Sequence, residues 1–136
     1  MTLILVLLLA FGDLTAVKAE PDFDKRSELA LSNAERAMDD AHKAYGDADD
    51  KAEQAALDEL AESVDVCYDA LQQSHQSPRK SKYYKRAELR VRALMRRLAG
   101  FRDEVSFDAR QSVETVLKKL SDVHDQLLAD IMSKKK

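Results

Sequence analysis

From Asp24 onward, apolar residues recur at alternating intervals of three and four positions. One stripe runs Leu31, Ala34, Met38, Ala41 and Tyr45, and a second runs Leu57, Leu60, Val64, Cys67 and Leu71. The third is the longest: Tyr84, Ala87, Val91, Leu94, Leu98, Phe101 and Val105. The fourth is Val113, Val116, Leu120, Val123 and Leu127, widened by Leu117, His124 and Ile131. At about 100° per residue each set lies on one face of a helix, and no stretch alternates as a half-buried strand does. The pattern predicts four amphipathic helices of roughly 20–25 residues, about 30–37 Å each.

Local signals place the helix ends. Gly46 can take the left-handed conformation that closes the first helix. Asp50, with Glu53 three residues on, has the form of a capping box for the second. Ser77-Pro78 offers an N-cap with proline at the first helical position, and Ser81 is a competing start. Asp108 with Gln111 plays the same part in the fourth helix. Connections this short make successive helices antiparallel, so the predicted class is all-α: an antiparallel up-down four-helix bundle of two helical hairpins. At an offset of 53 the third stripe aligns with the first, but any two amphipathic hairpins of this length allow such an alignment. The first helix buries mostly Ala and one Met. Because burial stabilises by about 25 cal/mol per Å², this helix is expected to open first.

Ahead of the stripes lies a different segment. Leu3 to Gly12 is a ten-residue apolar run, followed by Val17-Lys18-Ala19. A spanning helix needs about 20 residues, so the run has the length of a signal-peptide core. Small residues at Val17 and Ala19 predict cleavage after Ala19. The expected organisation is therefore a signal peptide over 1–19 and one helical-bundle domain over 20–136, periplasmic or secreted. The alternative is an uncleaved N-terminal helix that packs in the core or anchors the chain to a membrane. At 136 residues, with three Gly, two Pro and 45% hydrophobic residues, the chain is a single helical domain's worth of sequence rather than a disordered one.

Charge alters this picture more than composition does. The formal net charge is −3. Residues 20–75 hold five basic and sixteen acidic residues, a net of −11, whereas residues 76–102 hold ten basic residues and the single acid Glu88, a net of +9. On the third helix Arg79, Arg86, Arg90 and Arg97 line one flank of the apolar stripe, and Lys85, Arg92 and Arg96 line the other. Between these ridges, facing away from the core, come Leu89, Ala93 and Gly100. One explanation is internal: the basic helix pairs with the acidic hairpin and helps to specify which helices are neighbours. The other is that a ridge stays free for an anionic partner, whether an envelope polymer, lipid head groups or an acidic protein surface.

Candidate chemistry is sparse. The histidines are His42, His75 and His124, and no Glu-x-x-His set of a di-metal bundle occurs. Asp47, Asp49 and Asp50 lack the spacing of a calcium-binding EF-hand loop. Cys67, the sole cysteine, sits on an apolar stripe and reads as a buried thiol. Neither a Gly-rich phosphate loop nor a nucleophile elbow is present. Tyr83 and Tyr84 stand among basic residues, but Tyr84 belongs to the core stripe, and export would remove the chain from nucleic acid. The expectation is an exported, non-enzymatic envelope protein that acts by protein–protein interaction and uses no cofactor or metal. Its alternative is a binding module for anionic polymers or membrane surfaces. Arg79, Lys85, Arg86, Arg90, Arg92, Arg96 and Arg97 are the candidate contact residues for either, and a homo-oligomer is compatible with both.

Overall fold

A computed structural model describes residues 14–133. Among these residues the chain is all-helical, with no strand. A short helical segment, α1 (residues 14–19), precedes four long helices: α2 (Phe23–Gly46), α3 (Asp50–Gln73), α4 (Lys82–Glu104) and α5 (Phe107–Met132). The core is built mainly from the four stripes, joined by Leu14, Val17, Ala30 and Ala37, while Tyr45, Leu117 and Ile131 are only partly buried; Leu31, Met38, Leu57, Leu60, Leu71, Leu94, Leu98, Phe101, Leu120 and Leu127 are among its largest fully buried side chains.

The helix ends differ from the sequence expectation in instructive ways. Ser81 caps α4, its Oγ accepting from the amides of Tyr83 and Tyr84. Ser77 instead opens a turn, its carbonyl accepting from the amides of Lys80 and Ser81. Asp49 caps α3, one residue before the Asp50 of the expected box, through the amide of Ala52. Helix α5 begins after Ser106, two residues ahead of Asp108. Gly46 is the last helical residue, and the left-handed conformation falls on Ala48, with φ of 56°.

Side-chain pairs across the interfaces give the directions of the helices. Arg86–Glu28, Arg90–Glu35 and Arg97–Asp39 ascend together, so α2 and α4 are parallel neighbours. Lys119–Asp65 and Tyr68–Asp130 relate α3 and α5 in the same way. Within each hairpin the helices are antiparallel: Arg36 meets Glu59 and Asn33 meets Ser63 between α2 and α3, and Glu88 meets His124 between α4 and α5. Helices α3 and α4 face each other across the diagonal, and the segment 74–81 spans it.

Helix α2 packs most intimately against α3. Its buried residues Ser27, Ala30, Ala34, Ala37, Ala41 and Ala44 repeat at intervals of three and four, and α3 presents Ser63, Cys67 and Ala70. Small side chains give up buried area per residue but let two backbones approach closely. The seam also carries a polar cluster: Asn33 Nδ2 donates to Ser63 Oγ at 2.9 Å, and Arg36 donates to Asn33 Oδ1 at 2.7 Å and to Glu59. Over this hairpin lies α1, with Leu14 and Val17 in the core cluster and Lys18 Nζ 2.7 Å from Glu62 Oε1. The apolar run from Leu3 to Gly12 lies outside the described residues. No helix among the described residues is long and apolar enough to cross a membrane.

Candidate functional site: the basic helix α4

Helix α4 has three kinds of surface, set by angle about its axis. Taking Lys82 as zero and about 100° per residue, the core stripe centres near 150°. Arg86, Arg90 and Arg97 fall at about 40–80°, on the flank toward α2, and Glu88 falls near 240°, on the flank toward α5. Lys82, Lys85, Leu89, Ala93, Arg96 and Gly100 fall between about 300° and 20°, opposite the core. All six of these residues are exposed, Leu89 at 56%.

The flank toward α2 is spent inside the molecule. Arg86 Nη1 lies 2.8 Å from Glu28 Oε2. Arg90 donates to both oxygens of Glu35, Nε at 3.1 Å and Nη2 at 2.8 Å, and to Ser32 Oγ at 3.1 Å. Arg97 meets Asp39. Below it His42 Nε2 lies 2.9 Å from Glu104 Oε2, with the His42 ring 5.4 Å from that of Phe101. A groove of about 360 Å³ follows this seam, floored by Met38 and Phe101 and left open at Gly100, which has no side chain.

The flank toward α5 holds a buried charge cluster. Glu88, 7% exposed, receives Arg92 Nε at 2.8 Å and Nη2 at 2.6 Å, and His124 Nε2 at 2.7 Å. Burial raises the Glu88 carboxyl, but hydrogen bonds from Arg92 and His124 outweigh it and hold the group below its ordinary range. Arg92, grouped by sequence with the Lys85 ridge, is therefore turned back onto its own helix. The sequence signal for this was Glu88 itself, the one acid in a block of ten cations, four residues before Arg92.

The outer face is different. Among the described residues, Arg79, Lys80, Lys85 and Arg96 have no carboxylate within 4.0 Å, and Lys82 makes a cation–π contact with the Tyr83 ring at 5.3 Å. Of the seven candidate residues, four are thus paired internally (Arg86, Arg90, Arg92 and Arg97) and three stand free (Arg79, Lys85 and Arg96). Lys85 and Arg96 border an apolar, low-bulk strip of Leu89, Ala93 and Gly100, about 16 Å long at 1.5 Å per residue, whereas Arg79, expected on the third helix, lies in the turn ahead of α4.

Cys67 is buried, and desolvation pushes its thiol up to about 12, so no thiolate forms near neutrality. Tyr68 is likewise pushed upward, by burial and by its hydroxyl bonding Asp130 at 2.6 Å. Comparison with protein families, with curated proteins and with solved structures finds no match to this chain.

Proposed function

We propose that this chain is an exported, non-enzymatic interaction protein of the cell envelope whose outer α4 face docks an acidic protein partner. The observation carrying this reading is the division of one basic helix into a flank consumed by α2 and a face on which Lys85 and Arg96, among the described residues, have no carboxylate within 4.0 Å. Residues that specified only internal topology would sit on the flanks; Lys82, Lys85 and Arg96 sit opposite the core. Exposed Leu89 supplies an apolar centre, Ala93 and Gly100 leave room for a partner backbone, and the cationic rim steers an acidic surface into register. The reading takes residues 1–19 as a signal peptide and 20–136 as one mature bundle of two antiparallel hairpins, in the periplasm or outside the cell, so that cleavage removes Leu14 and Val17 from the core and breaks the Lys18–Glu62 pair. It calls on no cofactor.

A photo-crosslinker at Leu89, in the producing cell, tests it. An acidic protein should be captured from Leu89 and not from exposed Thr115 on α5, and Lys85→Glu/Arg96→Glu should abolish capture. Equal capture from both positions, or capture indifferent to the double reversal, would sink the reading. Capture of a second copy would make the partner another molecule of this chain. Intact mass of the exported chain tests the cleavage after Ala19.

A second reading, binding of an anionic polymer or lipid surface, is favoured by Arg79 and Lys80, which carry the free cations beyond the helix start. Vesicles of phosphatidylglycerol separate it from the first: retention on them independent of Leu89 supports it.

A further inference from the structure

The outer strip of α4 runs into the α2–α4 groove at Gly100, and Arg96 and Gly100 belong to both. Most charges around the groove are paired off. Arg97 meets Asp39, His42 Nε2 lies 2.9 Å from Glu104 Oε2, and Lys43 Nζ lies 2.9 Å from Asp47 Oδ2. Arg96, which lines the same groove, has no carboxylate within 4.0 Å among the described residues. The rim therefore complements one carboxylate, and Arg96 is where it would sit.

Gly100 sets the shape. Glycine inside a helix is less favourable than alanine, and this one is neither left-handed nor crowded: a Cβ built on it meets no atom within 4 Å. Its effect is to leave about 360 Å³ open between the His42 ring on α2 and the arginine side chains of α4. The His42 and Arg97 side chains are 59% and 45% exposed, so ring and guanidinium are both accessible, whereas Met38 and Phe101 behind them are nearly covered. An aliphatic side chain would find little apolar surface here. A flat ring finds more: a guanidinium attracts an aromatic face, and His42, 5.4 Å from the Phe101 ring, extends the aromatic surface outward.

We propose that this groove is the anchor pocket of the α4 docking face and takes an aromatic side chain of the acidic partner, whose neighbouring carboxylate pairs with Arg96. The proposal rests on the docking reading and adds the feature by which the partner is recognised, an aromatic residue beside an acid.

Titration of the full chain with the tripeptide acetyl-Glu-Trp-Glu amide tests it. The chain holds no Trp, so the emission of the probe is read without background. A saturable blue shift is expected, with amide chemical-shift changes centred on His42 and Gly100. Gly100→Leu fills the groove from an exposed helical position and should remove the saturable shift while leaving the helical spectrum unchanged. Arg96→Gln should weaken binding about tenfold, the loss of one charge-assisted hydrogen bond, and acetyl-Gln-Trp-Gln amide should bind the parent as weakly. A shift that never saturates, amide changes centred elsewhere, or undiminished binding in Gly100→Leu or Arg96→Gln overturns the proposal. Three residues reach about 10 Å. Lys85 lies eleven helical positions from Arg96, about 16 Å, so Lys85→Glu should leave the tripeptide's affinity unchanged. Weakening by Lys85→Glu as great as by Arg96→Gln would mean diffuse attraction and also overturns the pocket. Failure of the tripeptide while Leu89 still captures an acidic protein overturns the pocket alone and leaves the docking face standing.

Discussion

Arg90 and Glu35 meet across the α2–α4 seam through two parallel contacts, Nε to Oε2 at 3.1 Å and Nη2 to Oε1 at 2.8 Å. The pair belongs to a ladder. Acids at 28, 35 and 39 on α2 face arginines at 86, 90 and 97 on α4, so both helices contribute residues spaced by four and seven. Arg90 is the least exposed of these arginines, and the fork geometry makes its bond the most directional rung. A double-mutant cycle with Arg90→Gln and Glu35→Gln should give a coupling energy of about 0.5–1 kcal/mol, reduced in 1 M salt. Zero coupling at low salt would remove the ladder's claim to specify neighbours.

The Glu88 cluster predicts a pH dependence with a definite sign. Its folded carboxyl lies below its ordinary value, so folding favours the ionised form. Its stabilisation is complete above the unfolded carboxylate value and is lost as pH falls through the lower folded one. Glu88→Gln should therefore flatten the acid limb of the stability curve and cost about 1–3 kcal/mol near neutrality. Denaturant midpoints between pH 7 and pH 3 measure both. An unchanged acid limb would show that other carboxylates set it.

Close approach of α2 and α3 depends on alanine at the seam. Ala37 is 1% exposed, and a larger side chain there must push the backbones apart. Ala37→Leu should cost about 1–3 kcal/mol despite its added apolar area. At exposed Leu89, Leu→Ala should stay within about 0.5 kcal/mol. Urea unfolding of both variants checks the contrast. Hydrogen exchange adds the order of opening: the small area buried per residue of α2 favours early opening, while close packing on α3 favours a hairpin that opens as a unit.

Cys67 provides a kinetic probe of the same hairpin. With its thiol near 12 and its side chain buried, modification by a thiol reagent should require opening of the fold. Reaction should accelerate with denaturant in step with loss of helix. Rapid labelling in native buffer would contradict the burial.

Much of this was legible in the residues. Apolar spacing gives four helices because a 3.6-residue repeat leaves one face to bury, and every stripe position from Leu31 to Met38 and from Tyr84 to Phe101 is buried. Two things were not legible. Caps depend on which hydroxyl reaches which amide, and Ser81 prevails over Ser77 because its Oγ meets two free N–H groups at the start of α4 while Ser77 closes a turn. The fate of each arginine depends on which helix lies beside α4, and a stripe reports only that a face is buried, not by which neighbour. The acids at Glu28, Glu35 and Asp39 are spaced by seven and four and their arginine partners by four and seven, so only the parallel placement of α2 and α4 pairs them. Glu53 shows the same limit: its place in the first turn of α3 suggested a cap, and its Oε2 is buried without a donor among the described residues.

The central claim is that one face of α4 remains available to an anionic partner while its flank is spent on α2. Elution from a heparin column over a salt gradient tests it most directly, with heparin standing for any extended acidic surface. The parent chain should be retained at about 50 mM salt and elute steeply as salt rises, because each neutralised anion releases a counterion. Lys85→Glu/Arg96→Glu, with an unchanged helical spectrum, should pass through unretained. Equal retention of this variant would contradict the claim and return the whole basic block to an internal role.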